Sequence, residues 1–266
     1  MSQMIQTELK PNGIMWVTLN RPEKHNAINL DMFAAIKNAI KQISKDRSVR
    51  VVIVTGAGSD FCTGLDVKAV LQNIKSAAGL LFKLNPWSAN DAQIVSEGWR
   101  KLPVPVIMAI HGRCWGGGLQ IALGGDFRIV QSESTLSIME GRYGLIPDMG
   151  GNLALKQIMP VDQAMKLAMT AEIIDAKAAL QYGLVTQVCD DPIAEATALA
   201  EQLVQQSPDA LAAVKKLYLK QWERSDASML LKETWYQIRM ILGKNQRIAT
   251  ARSQGKSREY VKRQSW

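Results

Sequence analysis

Two stretches of this 266-residue chain carry the residue types that catalysis by backbone groups requires. After the apolar run Val51-Val52-Ile53-Val54 comes Gly56-Ala57-Gly58, and then Phe61-Cys62-Thr63-Gly64-Leu65-Asp66, a loop feeding a helix near Asp66. After a second apolar run, residues 104–110, come His111-Gly112 and then Gly116-Gly117-Gly118, again at the opening of an apolar helix. Glycines at a helix start leave its first N–H groups uncovered and let a ligand oxygen approach closely. The helix dipole adds positive potential there. Two such N–H groups aimed at one point form an oxyanion hole. The triple glycine fits equally well a close packing of helix on sheet, and both readings stand at this level.

Other chemistries are poorly supplied. The chain has two histidines, His25 and His111, so mechanisms needing several imidazoles for a metal or a triad lack their parts, and no metal is expected. Neither glycine cluster has the G-x-G-x-x-G spacing of a dinucleotide site or the lysine of a phosphate-binding P-loop. The three cysteines, Cys62, Cys114 and Cys189, have no CxxC spacing and read as small apolar residues in a reducing, cytoplasmic setting. Carboxylates and backbone groups must therefore carry most of any catalysis.

The elements that would position these groups follow from periodicity. Short apolar or alternating runs at 4–10, 14–19, 51–54, 104–110, 127–130, 135–138 and 184–188 predict strands, the first two joined by the turn Pro11-Asn12-Gly13. Apolar residues at Leu30, Phe33, Ile36, Ile40 and Ile43 predict an amphipathic helix over 29–44. Residues 66–101 read as helical with a break at Asn85-Pro86. After Gly150-Gly151 the chain reads as mostly helical, over 152–159, 161–169, 176–182, 192–206, 209–223 and 226–242. Strand pairs followed by helices suggest repeated β-β-α turns with a helical C-terminal third, an α/β architecture.

Composition agrees: 47% apolar and 21% charged residues can bury a sizeable core and exclude a disordered chain. No run approaches the roughly 18 apolar residues of a membrane span, and no secretory signal is visible at the N-terminus. The formal charge is +8, with seven of the 32 basic residues between Lys244 and Arg263. Such a surface is either simply solvated or attractive to a phosphorylated ligand or nucleic acid. Trp87 and Trp99 read as core or interface aromatics.

Taken in order, these segments resemble the crotonase superfamily, the enoyl-CoA hydratase/isomerase group. The resemblance is carried by Leu19-Asn20-Arg21-Pro22-(x)3-Asn26-Ala27, by Phe61 to Asp66, and by His111-Gly112-(x)3-Gly116-Gly117-Gly118. It continues through Gly125-Asp126 to Gly144-Leu145-Ile146-Pro147-(x)2-Gly150-Gly151, and through Ala178-Ala179-Leu180-(x)2-Gly183-Leu184-Val185. The resemblance implies a crotonase-like spiral of β-β-α turns over residues 1–200 and a C-terminal helical oligomerisation region over 201–266, in one continuous unit. It implies a homotrimer or hexamer without membrane or nucleic-acid partners, and no cofactor beyond the CoA of the substrate.

It also implies an acyl-CoA thioester ligand whose carbonyl accepts the N–H groups of Leu65 and Gly117. Lys24, Ala27, Cys62, Gly64, Asp66, Gly116 and Gln120 would contact the substrate. Hydratases of this family carry two glutamates; here the first position is Gln120 and the second Glu140. An amide accepts no proton at neutral pH, so one acid–base group is lost. Asp148, eight residues after Glu140, stands where hydratases usually have glycine and where the dienoyl-CoA isomerase branch has an acid. The tail Asn245 to Arg252 departs from the family's acidic-glycine-x-x-alanine-phenylalanine pattern, so CoA contacts from Lys256 or Arg258 stay unassigned. The expectation is isomerisation of an enoyl- or dienoyl-CoA, in fatty acid metabolism, with Glu140 and Asp148 as catalytic acids. Hydration of 2-enoyl-CoA is the close alternative. A thioester hydrolase and a non-catalytic acyl-CoA- or RNA-binding protein are the remaining ones.

Overall fold

The computed structural model describes residues 4–71 and 74–265 of the chain. A six-stranded sheet is built from β1 (Ile5–Leu9), β2 (Ile14–Leu19), β3 (Val51–Gly56) and β4 (Val106–Ile110), with further strands later in the chain. A smaller sheet begins with β5 (Arg113–Trp115). β6 (Phe127–Gln131) returns to the large sheet, β7 (Thr135–Ser137) and β8 (Ile174–Asp175) to the small one, and β9 (Gln187–Cys189) closes the large one. The strand orders are β1-β2-β3-β4-β6-β9 and β5-β7-β8. β1 is antiparallel to β2 and every other pair in the large sheet is parallel. Each of β4 and β6 thus hands the chain to a short strand of the second sheet, which is the β-β-α turn that the sequence suggests.

The helices are α1 (Leu30–Lys45), α2 (Val67–Leu71), α3 (Ile74–Leu81), α4 (Asp91–Lys101), α5 (Gly117–Ala122), α6 (Asn152–Ile158), α7 (Val161–Thr170), α8 (Ala176–Gln181), α9 (Pro192–Val204), α10 (Pro208–Gln221), α11 (Asp226–Leu242) and α12 (Lys244–Ser253). Among the described residues none is long and apolar enough to cross a membrane.

β3 and β4 are buried along their whole length because helices cover both faces of the sheet. Val52, Val54, Val106 and Met108 point into one core with Phe33, Ile36 and Ile40 of α1 and Val95 and Trp99 of α4. Val51, Ile53, Ile107 and Ala109 point into the other, against Ala196, Ala200 and Val204 of α9. Full burial of one such aliphatic side chain is worth about 1.5–3 kcal/mol. α1 starts where the Asn29 side chain accepts the Met32 N–H, and α4 where Asn90 and Gln93 form a reciprocal capping box. The C-terminal helices are fastened through Lys215 of α10. Its buried ammonium donates to the Trp99 and Val104 carbonyls and pairs with Asp126 at 2.8 Å.

Some expectations need correction. The strand expected at 184–188 is β9 at Gln187–Cys189. Leu184 and Val185 are buried in the turn after α8, where Gly183 takes φ +73° and Leu184 N–H bonds back to the Ala179 carbonyl. β5, β8 and the 3-10 turn Met139–Tyr143 were not anticipated, being too short to show a period. α12 was missed because its surface is polar and buries only Asn245 and Ala251. Trp99 is core, and Trp87, 95% exposed, is not, which leaves for it the interface half of the expectation. Residues 72 and 73, within the expected helical span 66–101, lie outside the described residues.

Candidate active site

The two glycine-bearing loops meet. Residues 62–65 run beside β5 through a bridge between Cys62 and Cys114, and Leu65 bridges to Ile28. The contact depends on missing side chains. A Cβ at Gly118 would lie 2.3 Å from the Cys62 carbonyl oxygen, and one at Gly64 would lie 2.9 Å from the Trp115 carbonyl and 3.4 Å from Gly117 N. Gly64 and Gly116 have φ of +95° and +50°, where side chains are strained. Both readings of the triple glycine therefore hold: Gly118 permits close packing, and that packing sets the start of α5 against the Gly64–Leu65 backbone.

The Leu65 bridge uses Ile28 N–H to the Gly64 carbonyl and Asp66 N–H to the Ile28 carbonyl, and Gly116 N–H donates to Ser137. These bonds leave the N–H groups of Leu65 and Gly117 without an acceptor among the described residues. The first-turn amide of a helix has no intrahelical partner in any case. Two adjacent, uncommitted backbone donors can receive an oxygen that gains negative charge.

Glu140, in the 3-10 turn after β7, reaches this place. A Cβ at Gly116 would lie 3.8 Å from its Oε1. Oε1 accepts from Gln120 Nε2 at 2.6 Å, while Oε2 is buried with no partner among the described residues. Burial pushes the Glu140 pKa above the ordinary carboxylate range; the Gln120 hydrogen bond opposes this, and the charge of Asp148 adds to it. Asp148 is exposed as a residue, yet partial burial of its carboxyl raises its pKa as well. The structure thus brings Leu65, Gly64, Gly116, Gly117, Gln120, Glu140 and Asp148 into one neighbourhood.

The side chains of two residues expected to contact the substrate are committed within the protein. Cys62 is wholly buried and donates its thiol to the Asn26 carbonyl; desolvation pushes that thiol up to about 12. It supports the loop from behind. The Asp66 carboxylate is committed within the protein, to Arg21 Nη1 at 2.8 Å and to the Ala69 N–H at the start of α2. Gln120, only 2% exposed, holds protein groups: its Oε1 accepts the N–H of Met149 and of Gly151. Lys24 and Ala27 lie on the rim, on a loop shaped by left-handed His25 and Asn26. Arg21 Nη1 donates to the Ala27 carbonyl.

Sequence reasoning missed the scaffold beneath the rim. Asp60 receives the Arg113 guanidinium in a two-pronged pair at 2.7 and 2.9 Å, the Arg113 N–H, and His25 Nδ1 at 2.9 Å. The Arg113 bonds, with a smaller part from the Ser59 hydroxyl, hold the Asp60 carboxyl far below the ordinary range against its burial. Asn26, fully buried, ties the loops together by donating to the Ala57 and Asp60 carbonyls. A pairing across 53 residues leaves no local signal. Among the described residues no group of three or more His, Cys, Asp or Glu gathers as a metal site.

The profile of a family described as "Enoyl-CoA hydratase/isomerase" matches residues 9–247. The 1,2-epoxyphenylacetyl-CoA isomerase of Escherichia coli (strain K12) is 34% identical over 206 residues, covering 77% of this chain and 78% of that protein. The carnitinyl-CoA dehydratase of Salmonella enteritidis is 32% identical over 241 residues, 87% of this chain and 85% of that protein. Among solved structures, an enoyl-CoA hydratase from Bacillus anthracis superposes with a TM-score of 0.88 at 27% identity, covering 97% of this chain and 99% of that one.

Proposed function

The chain belongs to the enoyl-CoA hydratase/isomerase family, as an enzyme of acyl-CoA double-bond chemistry on the α/β crotonase fold, and from that premise we propose that it adds water to, or removes it from, the double bond beside the thioester. The observation that carries this reading is the Glu140 carboxyl, which stands beside Gly116 by its Oε1 and keeps a buried, unpartnered Oε2, together with the two open backbone amides that flank this glycine loop.

In the forward direction the thioester oxygen accepts the Leu65 and Gly117 N–H groups. Water held at Glu140 Oε2 attacks C3 as its proton passes to that oxygen, and the electron pair of the double bond moves into the thioester as an enolate. The same carboxyl then returns the proton to C2, and the product is the 3-hydroxyacyl-CoA. Each backbone donor that meets the growing negative charge is worth about 10²–10³ in rate. One carboxyl that takes and gives the same proton does not need the second glutamate that Gln120 replaces. A raised Glu140 pKa suits a group that must do both.

The dehydratase and hydratase relatives favour this reading over the isomerisation expected from Gln120 alone. Isomerisation is the second reading, since a proton shift between C2 and C4 also needs one base. Incubating purified protein with 2-enoyl-CoA in ¹⁸O-water should give a 3-hydroxyacyl-CoA carrying the label. Conversion of 3-enoyl-CoA without any label uptake from 2-enoyl-CoA would replace hydration by isomerisation.

Lys24 and Ala27, at the rim, are proposed to meet the CoA moiety, and Asp148 to tune Glu140 through its charge. Self-association belongs to the same proposal. α11 buries none of its residues and leaves Leu230, Leu231, Trp235, Ile238, Ile241 and Leu242 exposed, a surface suited to a second copy in a trimer.

A further inference from the structure

We propose that Gln120 is a positioning residue: its amide, locked in one orientation by the Met149 and Gly151 backbones, grips Glu140 by Oε1 and reserves Oε2 for the travelling proton. This rests on Glu140 being the acid–base group. The lock is a matter of donors and acceptors. Gln120 Oε1 takes the Met149 N–H at 2.8 Å and the Gly151 N–H at 3.3 Å, while Nε2 lies 2.6 Å from Glu140 Oε1. Turning the amide over would set its NH2 against two N–H donors and its carbonyl against a carboxylate, so a single orientation is compatible with the site.

The consequence falls on Glu140. A neutral donor at Oε1 satisfies one oxygen of a carboxylate in a desolvated place without adding charge. A glutamate at 120 would instead set two carboxylates side by side, and such a pair holds a proton between them. The amide therefore keeps Glu140 available as an anion, against the burial that favours its neutral form, and fixes which oxygen faces the substrate. Asp148 is the charged group whose field reaches Glu140. Lys166, on the helix packed against this turn, is taken by Tyr182 and Glu172, and Arg142 donates to the Ala171 carbonyl.

The test is a ¹³C carboxyl titration by NMR of the full chain with labelled glutamate, the Glu140 resonance being identified by its loss in Glu140→Gln. In Gln120→Met the Glu140 midpoint should move to higher pH, the acid limb of kcat should move with it, and kcat should fall about 10- to 100-fold with KM little changed. An unmoved midpoint overturns the proposal. Should Gln120→Met not fold, Gln120→Glu replaces it. There the two backbone N–H groups stabilise the new carboxylate and repulsion drives the Glu140 midpoint upward, so an unmoved midpoint again overturns the proposal. The titration needs no turnover. A wild-type protein inactive on enoyl-CoA would refute the reaction class while the titration still decides what Gln120 does.

Discussion

Gly118 meets Cys62 so closely that the smallest side chain at 118 would stand 2.3 Å from the Cys62 carbonyl oxygen. That oxygen belongs to main chain, which has little room to withdraw because it also accepts the Trp115 N–H. The two loops that carry the uncommitted amides are therefore held in register by the absence of one methyl group.

Gly118→Ala should part these loops. Overpacking of this kind costs about 1–3 kcal/mol. A displacement near 1 Å at the reacting centre costs up to about 10² in rate. The expected outcome is a folded protein, by circular dichroism, with kcat on enoyl-CoA at least tenfold lower. Wild-type activity in this variant would separate Gly118 from the geometry of the site.

Glu140→Gln should keep the fold and remove the proton carrier. The loss expected for one general acid–base group is about 10²–10⁴ in kcat. Binding of an unreactive acyl-CoA, followed by calorimetry, should persist because the backbone donors are untouched.

The same substitution tests stability against pH. The pKa of Glu140 is raised in the folded protein, so its ionised form is disfavoured there relative to the unfolded chain. Its contribution to stability is fully present below the unfolded pKa and is lost as pH rises through the folded one. Glu140→Gln is free of that loss. Its melting temperature should exceed that of the wild type at neutral pH, and the gap should close as the medium becomes acidic. A gap that widens in acid would contradict the raised pKa.

Lys215→Met should loosen the attachment of the C-terminal helices. The substitution leaves Asp126 without its buried cation and takes the ammonium donor from the Trp99 and Val104 carbonyls. Breaking a buried pair from one side costs about 3–5 kcal/mol. Denaturant unfolding should show the midpoint falling by a corresponding amount, while Lys156→Met, whose ion pair is exposed, should change little.

Trp235→Glu with Ile238→Glu should change the assembly. Both side chains are half exposed on α11, which buries none of its own residues. Light scattering should report trimers or hexamers for the wild type and smaller species for the double variant. A monomeric wild type would remove α11 from the proposed interface.

Much of this protein is legible in local sequence. The continuous β-branched run Val51–Val54 announces a strand covered on both faces, and the spacing of Phe33, Ile36, Ile40 and Ile43 announces α1. Such signals survive in one dimension because period and composition report what one face of an element must bury. Gly116-Gly117-Gly118 and Gly64-Leu65-Asp66 mark the loops within short stretches of chain, whereas Glu140 is singled out as an acid only by the family resemblance. What lay beyond local reach is every relationship between them. Cys62 and Asp66 sit in a loop that the family resemblance assigns to the ligand, yet only packing shows one thiol sealed inward and one carboxylate taken by Arg21. Gln120 reads in sequence as a lost catalytic acid. Its grip on Glu140 exists because α5 and the segment at Met149–Gly151 arrive together in space. Residue types decided which groups could hold a proton or expose an amide. Tertiary structure decided which of them face one another, because hydrogen bonds and desolvation depend on distances of a few ångströms between groups far apart along the chain.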